Sequence, residues 1–545
     1  MPIDAFRLEN FMAFEDTGWI ELRKINLLLG RNSSGKTAII RALRLLKQSH
    51  EANNSNQPLV FKARDGVDVG FFNNILHQKP RPRKDVNEQT EENWPKPITF
   101  SFRGIADLSE PGELNSITKA LAIPLSTGTV KFTVDLSYRW VGEQVRLTDL
   151  SAKVFHQADM SNSVLVYQLD ESTGDATTSL MVGSSAELKG VLNFHGTNRL
   201  LPDVIIEKSD GELNDEQRST ARAGVSFWKA CGRELDQFLR SIRYVGPIRP
   251  RPQRSYIIDD EFAQRWEQEG LKFYLDYLTE AIDEDQYKKL NYWLYEIGLG
   301  RTLTPENLLE KPAGDLRFVV ALKLKELGRG YEFDERNLAD VGYGASQVIP
   351  VIVQCALAPP NSFIIIEEPE LHLHPAAQAS VADLLIDSIN ELEAIKSSRP
   401  AREGRQRGVD RTERPEITAE EIVDPSEIPG TPMSRRFLIE THSETLFFRL
   451  RVELAKTSAR YPELLKRIPN TKNKFVDLRI TPEDLIGYHI DRDRSTGNSE
   501  IGRLLFDKRG EFEEIDQPQR PFGDFFGQDF KEQSALDVAV LDIKE

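Results

Sequence analysis

Two glycines separated by four residues and followed by a lysine and a threonine carry the most specific chemistry in this chain. They belong to the run Gly30, Arg31, Asn32, Ser33, Ser34, Gly35, Lys36 and Thr37. A loop of this composition cradles the phosphates of a nucleoside triphosphate. Its glycines let backbone N–H groups wrap around phosphate oxygens, and a helix starting at its end adds the partial positive charge of an N-terminus. Lys36 has the reach for the β- and γ-phosphates, and the Thr37 hydroxyl can ligate the accompanying Mg2+. The flanks supply the context this motif requires. Ile25, Leu27, Leu28 and Leu29 predict a strand entering the loop, and Ile39, Ile40, Leu43 and Leu46 predict a helix leaving it. ATP and Mg2+ are therefore the expected cofactors.

Hydrolysis needs carboxylates at the end of a buried strand. The run Phe363 to Ile366 is wholly apolar and leads directly into Glu367 and Glu368, as in a central parallel strand covered on both faces. Glu367 is the expected Mg2+ ligand, directly or through water. Glu368 is the expected catalytic residue that orients and polarises the attacking water. Phosphoryl transfer depends on such positioning and electrostatics more than on covalent chemistry. More than three hundred residues separate Lys36 from Glu367, so a large insertion is expected between two halves of one sheet.

Two further segments fit the same site. Val341 to Gln347 reads as a glycine turn followed by a helix N-terminus near Ser346, with Gly344, Ser346 and Gln347 as candidate phosphate contacts. Pro350 is expected in the first turn of that helix, where a missing N–H costs no intrahelical bond. Downstream, Phe437 to Ile439 predicts a second strand that ends in Glu440, Thr441, His442 and Ser443. An imidazole at His442 can donate a hydrogen bond to the γ-phosphate or to the attacking water. Taken singly, these segments have plain alternatives: an acidic turn, a capped helix, a structural histidine. Their order along the chain favours a site.

This order resembles that of ABC/SMC-like ATPases of the OLD and RecF branch, AAA-type proteins here without a long coiled coil. The resemblance is carried by the opening I-D-A-F-R-L-E-N-F-M-A-F-E-D at residues 3–16, by E-E-P-E-L-H-L-H-P from Glu367 to Pro375, and by G-Y-G-A-S-Q from Gly342 to Gln347. The segment R-Y-V-G-P-I-R-P-R-P from Arg243 to Pro252 is similar to one in defence-associated ATPases of the Septu type. The matching motifs cover roughly residues 1–50, 240–260, 335–380 and 435–500.

The resemblance implies an α/β fold, an ABC-type P-loop ATPase head of two lobes with a mixed sheet and flanking helices. It implies a homodimer, or a higher even-numbered oligomer, in which Gly344, Ser346 and Gln347 of one chain meet ATP held by another. It places His442 as the switch histidine. It further implies a sensor and scaffold in antiphage defence that controls a separate effector nuclease. Two departures stand out. Gly-Ala-Ser-Gln replaces Leu-Ser-Gly-Gly, and Glu367 stands where many ATPases carry Asp, which lengthens the ligand by one methylene. Gln78 is the candidate for the Q-loop residue.

The expected organisation follows from these placements. Residues 1–155 form a first ATPase lobe with antiparallel strands at Ile98–Phe102 and Val130–Trp140. Residues 156–300 are an inserted region, irregular over 155–225, where Ser, Asp and Gly are frequent, and helical over Phe262–Ile297. Residues 301–394 form a second lobe with the carboxylate strand and with Gly342–Gln347, which the resemblance makes the signature loop. Residues 395–434 are a charged, mobile insertion rich in Arg, Glu and Pro. Residues 435–545 hold the His442 strand, a hairpin and a tail with Phe522, Phe525 and Phe526.

A net charge of −16 argues against DNA wrapping over the whole surface. Basic islands at Lys79–Lys84 and Arg399–Arg411 read as solvated loops. The island Arg249–Arg254 follows a strand-like run and stays open to phosphate, DNA or RNA, or a protein partner. Two cysteines and eight histidines give no zinc spacing. The start lacks a basic and apolar leader, and no apolar run approaches the ~18 residues of a membrane span. A cytoplasmic protein without membrane contact is expected. Three function classes remain: a scaffold ATPase, an OLD-type ATPase-nuclease, and a RecF-like repair ATPase. The nuclease class turns on Asp491-Arg492-Asp493, which could be half of a metal site but reads as a hairpin turn rich in Asp, Arg, Ser and Gly, so no intrinsic nuclease is expected.

Overall fold

The computed structural model describes residues 3–52, 57–63, 66–77, 96–108, 129–155, 163–169, 176–182, 186–207, 213–249, 251–258, 284–299, 301–307, 318–326, 335–398, 434–457, 476–493 and 495–515. Gln78, the islands Lys79–Lys84 and Arg399–Arg411, most of the insertion 395–434 and the Phe-rich tail lie outside the described residues.

A seven-stranded mixed sheet gathers the distant motifs. In spatial order its strands are Ile242–Val245, Phe363–Glu367, Arg436–Glu440, Ile25–Gly30, Leu485–Arg492, Ser499–Phe506 and Phe512–Ile515. The first five run parallel, and each of the last two pairs antiparallel with the strand before it. Every residue of Ile25–Gly30 and Phe363–Glu367 is buried, as strands covered on both faces require. Parallel neighbours need long crossovers, and helices Lys36–Glu51, Pro375–Ser398 and Glu444–Thr457 lie in those connections. The expected α/β class, a mixed sheet with flanking helices, is the fold observed.

The strand alternation divides the core in two. Leu28, Phe363, Ile365 and Leu438 face a cluster shared with helix Lys36–Glu51, helix Asp215–Ser241 and an antiparallel sheet. Ile25, Leu27, Ile364, Ile366, Phe437 and Ile439 face a second cluster with helices Glu284–Glu296, Tyr343–Leu357, Pro375–Ser398 and Glu444–Thr457. Period-two side-chain direction in a strand produces this split. It leaves the strand ends as the place where polar residues can meet a ligand.

The antiparallel sheet has nine strands. It runs from Ala186–Lys189 through Ala176–Val182, Ser163–Leu169, Gln144–Phe155, Thr129–Val141, Ile98–Asp107 and Ile3–Phe11 to Phe14–Asp16, with Ile20–Glu21 also on Ile3–Phe11. The expected strands at Ile98 and Val130 are present and longer. The irregular stretch expected over 155–225 is not what the described residues show. Three of its segments extend this sheet, Leu192–His195 pairs with Asp203–Ile206, and the 27-residue helix Asp215–Ser241 follows. The strands are short, four to seven residues each, and every one of them pairs with the strand beside it. The helix did carry a start signal, the reciprocal capping box of Asn214 and Gln217.

Helix Tyr343–Leu357 begins ahead of Ser346, so Pro350 sits in its interior rather than in its first turn. Proline there cannot donate to the Ser346 carbonyl, a cost of about 3 kcal/mol. Full burial of Val348, Ile349, Val351, Ile352 and Val353 offsets it. A small antiparallel sheet of Tyr256–Ile258, Phe318–Glu326, Arg301–Asn307 and Glu335–Asn337 precedes this helix. Among the described residues no helix is long and apolar enough to cross a membrane.

Candidate nucleotide-binding site

The loop Gly30–Thr37 leaves its strand through a conformation that only glycine tolerates. Gly30 has φ 145° and Gly35 has φ 119°. A Cβ on Gly30 would lie 2.2 Å from the Ile490 carbonyl oxygen of the neighbouring strand, which excludes any larger residue. Ser499 Oγ donates to the Ser34 carbonyl at 2.6 Å, and Ala13 and Phe14 crowd Gly35. The first hairpin and the C-terminal hairpin thus hold the loop from two sides. Arg31, Asn32 and Ser33 stand exposed on its rim.

Lys36 is buried and donates from Nζ to the carbonyls of Gly30 at 2.8 Å and Arg31 at 3.0 Å. Its charge faces Glu440, whose Oε1 is 3.7 Å away. The Thr37 hydroxyl donates to the other oxygen of Glu440 at 3.4 Å. Burial lowers the Lys36 pKa, against the opposing pull of Glu440 and Glu368. Glu440 itself is pushed up to about 7, chiefly by burial, with Glu367 and Glu368 adding repulsion and Lys36 opposing it.

Strand register explains this meeting. Glu367 lies opposite Glu440, and Glu440 lies opposite Leu28, near the end of the strand that feeds the loop. Burial raises the Glu367 pKa, and its Oε1 accepts a hydrogen bond from the Tyr244 hydroxyl at 2.6 Å. Glu368 has φ 47°, and its N–H donates to the Glu440 carbonyl at 2.8 Å. His442 is half-buried. Burial and Lys36 lower its pKa, while Glu368 opposes them. Its backbone N–H donates to Glu370 Oε1 at 2.7 Å. Lys36, Thr37, Glu367, Glu368, Glu440 and His442 are therefore brought together at the ends of three adjacent parallel strands.

Glu440 is a member that the sequence reading passed over. The signal was available, because Phe437, Leu438 and Ile439 run into Glu440 just as Phe363 to Ile366 run into Glu367. Tyr244 was also missed as a partner of the site, since only the sheet order places its strand beside the carboxylates.

Gly344, Ser346 and Gln347 occupy the first turns of helix Tyr343–Leu357. A Cβ on Gly344 would lie 3.0 Å from the His372 carbonyl oxygen, so this turn packs closely on the chain that follows Glu368. Gln347 is buried and donates to the Arg249 carbonyl at 3.2 Å. Arg249 is buried too, and it donates to the carbonyls of Gln347, Glu367 and Glu368. Arg254 forms a two-bond pair with Asp340. The island Arg249–Arg254 is thus partly committed to internal contacts.

Among the described residues no group of three His, Cys, Asp or Glu side chains is arranged to hold a metal unaided. The donor set at the loop still suits Mg2+. A hydroxyl and closely spaced buried carboxylates are hard oxygen ligands, and Mg2+ is usually completed by phosphate and water. Asp491 and Asp493 are placed differently. Asp491 lies opposite Glu500 in the C-terminal hairpin, and Asp493 accepts hydrogen bonds from Ser495 and Thr496 in its turn.

Two family models match the chain. Residues 1–192 match an AAA ATPase domain, and residues 301–443 match one described as "AAA domain, putative AbiEii toxin, Type IV TA system". No curated protein matches. Similar solved structures include an SMC head bound to the C-winged helix domain of ScpA, at 11% identity, 93% of this chain, 98% of that chain and TM-score 0.36. Another is the SMC head domain from Thermotoga maritima, at 11% identity, 92% and 98% coverage and TM-score 0.31. A third is an SMC head with an extended coiled coil bound to the C-terminal domain of ScpA, derived from Pyrococcus furiosus, at 10% identity, 93% and 97% coverage and TM-score 0.33. The loop Gly30–Thr37 lies in the first matched family segment, and Glu367, Glu368, Glu440 and His442 lie in the second. Two segments far apart in sequence thus each match an AAA-type ATPase domain, and the mixed sheet joins strands from both.

Proposed function

We propose that the chain binds MgATP on the loop Gly30–Thr37 and hydrolyses it with Glu368 as the residue that orients the water. The observation that carries this reading is the convergence of Lys36, Thr37, Glu367, Glu368 and His442 at the ends of three neighbouring parallel strands. Lys36 and the loop N–H groups hold the phosphates. Thr37 and Glu367 hold the metal, with Glu440 at hand for its water shell. His442 donates to the γ-phosphate from beside Lys36, and in the nucleotide-free chain burial and Lys36 lower its pKa. Bound Mg2+ would supply positive charge to the β- and γ-oxygens as the bond to the leaving group breaks.

The test is a pair of variants. Lys36→Ala should lose ATP binding. Glu368→Gln should keep it and lose hydrolysis by a hundredfold or so, because the amide preserves shape but not charge or basicity. Wild-type turnover in Glu368→Gln would move the catalytic role to another carboxylate.

The same proposal extends to assembly and partner. Gly344, Ser346 and Gln347 complete the site of a second copy, so ATP draws two chains together head to tail. Ser346→Arg should weaken ATP-dependent dimerisation, read by light scattering, and leave nucleotide binding by a single chain in place. The sequence lobes, 1–155 and 301–394, then act as one cytoplasmic head with 156–300 inserted, and 395–434 and 435–545 offer surfaces for a partner. From the Septu-like segment, the partner is a separate effector nuclease that this chain controls as sensor and scaffold in antiphage defence. The local hydrogen bonding of Asp493 supports placing the cutting site elsewhere than this chain. DNA or RNA cleavage by the purified chain, abolished by Asp491→Ala or Asp493→Ala, would restore the nuclease reading.

A further inference from the structure

Two side chains five positions apart, Tyr244 on a strand that the catalytic motifs do not include and Arg249 just beyond it, reach the Glu367 side chain and the Glu367 and Glu368 backbone. Strand Ile242–Val245 pairs in parallel with Phe363–Glu367, with Tyr244 opposite Ile365. From there the Tyr244 hydroxyl donates to Glu367 Oε1 at 2.6 Å. The same ring carries the Arg44 guanidinium, from the helix that follows the loop, 3.6 Å from its centroid.

Beyond the Gly246-Pro247 turn, Arg249 Nη2 donates to the carbonyls of Glu367 at 2.9 Å and Glu368 at 3.1 Å. Its Nη1 donates to the Gln347 carbonyl at 2.9 Å. A cation near a helix N-terminus works against the helix dipole, so favourable dipole placement does not account for it. The three carbonyls do, and two of them flank the step from strand to catalytic turn.

That step is strained. Glu368 has φ 47°, a left-handed conformation that a residue with a Cβ keeps only when its surroundings enforce it. Its N–H is held by the Glu440 carbonyl and its own carbonyl by Arg249. Glu367 has a different need. Its extra methylene, relative to Asp, gives the carboxylate another rotatable bond, and the Tyr244 hydroxyl ties down one of its two oxygens.

We infer that Tyr244 and Arg249 are the positioning residues of this carboxylate pair, Tyr244 aiming Glu367 and Arg249 fixing the backbone from which Glu368 projects. The inference rests on the ATPase reading of the site. Tyr244 leaves Oε2 of Glu367 as the oxygen for the metal or its water. Arg249, by also holding Gln347, makes the signature helix and the carboxylate turn move as one body. A site of this kind loses rate when its supporting contacts loosen, even if binding survives.

Tyr244→Phe keeps the ring and its Arg44 contact and removes only the hydroxyl. It should lower kcat about tenfold and raise the Mg2+ concentration for half-maximal rate several-fold. Affinity for a fluorescent ATP analogue in EDTA should not change. Arg249→Lys supplies a point charge that cannot span three carbonyls, so kcat should fall about tenfold or more with KM for ATP within about twofold. In a Glu367→Asp background the shorter side chain withdraws from the hydroxyl, and Tyr244→Phe should then have no further effect.

Wild-type kcat and Mg2+ dependence in Tyr244→Phe would overturn the inference, as would the same fractional loss in both backgrounds. Should Arg249→Lys fail to fold, Tyr244→Phe and the Glu367→Asp cycle still decide. Glu368→Gln separates the two levels. If it hydrolyses ATP normally, the site assignment itself fails; if it is inactive while Tyr244→Phe matches wild type, only the positioning inference fails.

Discussion

Glu367 with Glu368, and Asp491 with Asp493, are two acidic pairs at strand ends of one mixed sheet, and their surroundings are opposite. Glu367 is buried, and burial pushes its pKa up. Nearby Glu440 reaches about 7 for the same reason. Asp493 is partly exposed, and hydrogen bonds from Ser495 and Thr496 hold it down to about 2. Glu367 and Glu440 keep costly charge out of water, with Lys36 and Thr37 aimed at Glu440. The second uses its charge to close a turn. Strand-end carboxylates point to chemistry where burial makes their charge unfavourable and a counter-charge faces them.

The largest expected effect sharpens this contrast directly. Glu368→Gln should cut ATP turnover about a hundredfold, whereas Asp491→Asn and Asp493→Asn should leave it within about twofold. Steady-state phosphate release measures all three, and comparable losses at both pairs would erase the distinction. Next comes the loop that serves only the first pair. Gly30→Ala places a Cβ 2.2 Å from the Ile490 carbonyl oxygen and strains φ, so nucleotide binding by calorimetry should be lost. Retained binding would show that the neighbouring strand yields.

A smaller effect concerns Glu440 and pH. Its pKa is raised from 4.5 to about 7 in the folded chain, so the folded state binds the additional proton. Stability from this group is therefore highest below about 4.5 and declines as pH rises to about 7. Glu440→Gln removes that decline. Without nucleotide, the variant's melting midpoint relative to wild type should be higher at pH 7.5 than at pH 5, an effect on the order of 1–3 kcal/mol. A pH-independent difference would contradict the burial account. The smallest change is expected at Asp493→Asn, which should loosen the hairpin turn, detected by amide exchange at Ser495 and Thr496, without altering ATP binding.

Several parts of the site were legible because their meaning is local. The spacing of Gly30, Gly35, Lys36 and Thr37 encodes a loop conformation that neighbouring residues nearly dictate, and Phe363 to Glu368 encodes a buried strand with charged residues at its end. Pro350 was misplaced because the helix start at Tyr343 has no side-chain cap to mark it. The strands Ser163–Leu169 and Ala176–Val182 were hidden because each is stabilised by the strand beside it rather than by its own periodicity.

Residue types and spacing alone marked the candidate phosphate loop and the carboxylate strand, since backbone sterics and strand burial act within a few residues, and the α/β class came with the family resemblance those motifs carry. Only the tertiary structure decided which strands stand side by side. Register between strands more than seventy residues apart sets Glu440 against Glu367 and in reach of Lys36 and Thr37, and pairing with Phe363–Glu367 brings Tyr244 to the carboxylate. Those contacts depend on sheet order, a property of the packed core as a whole, and no local stretch of the chain contains it.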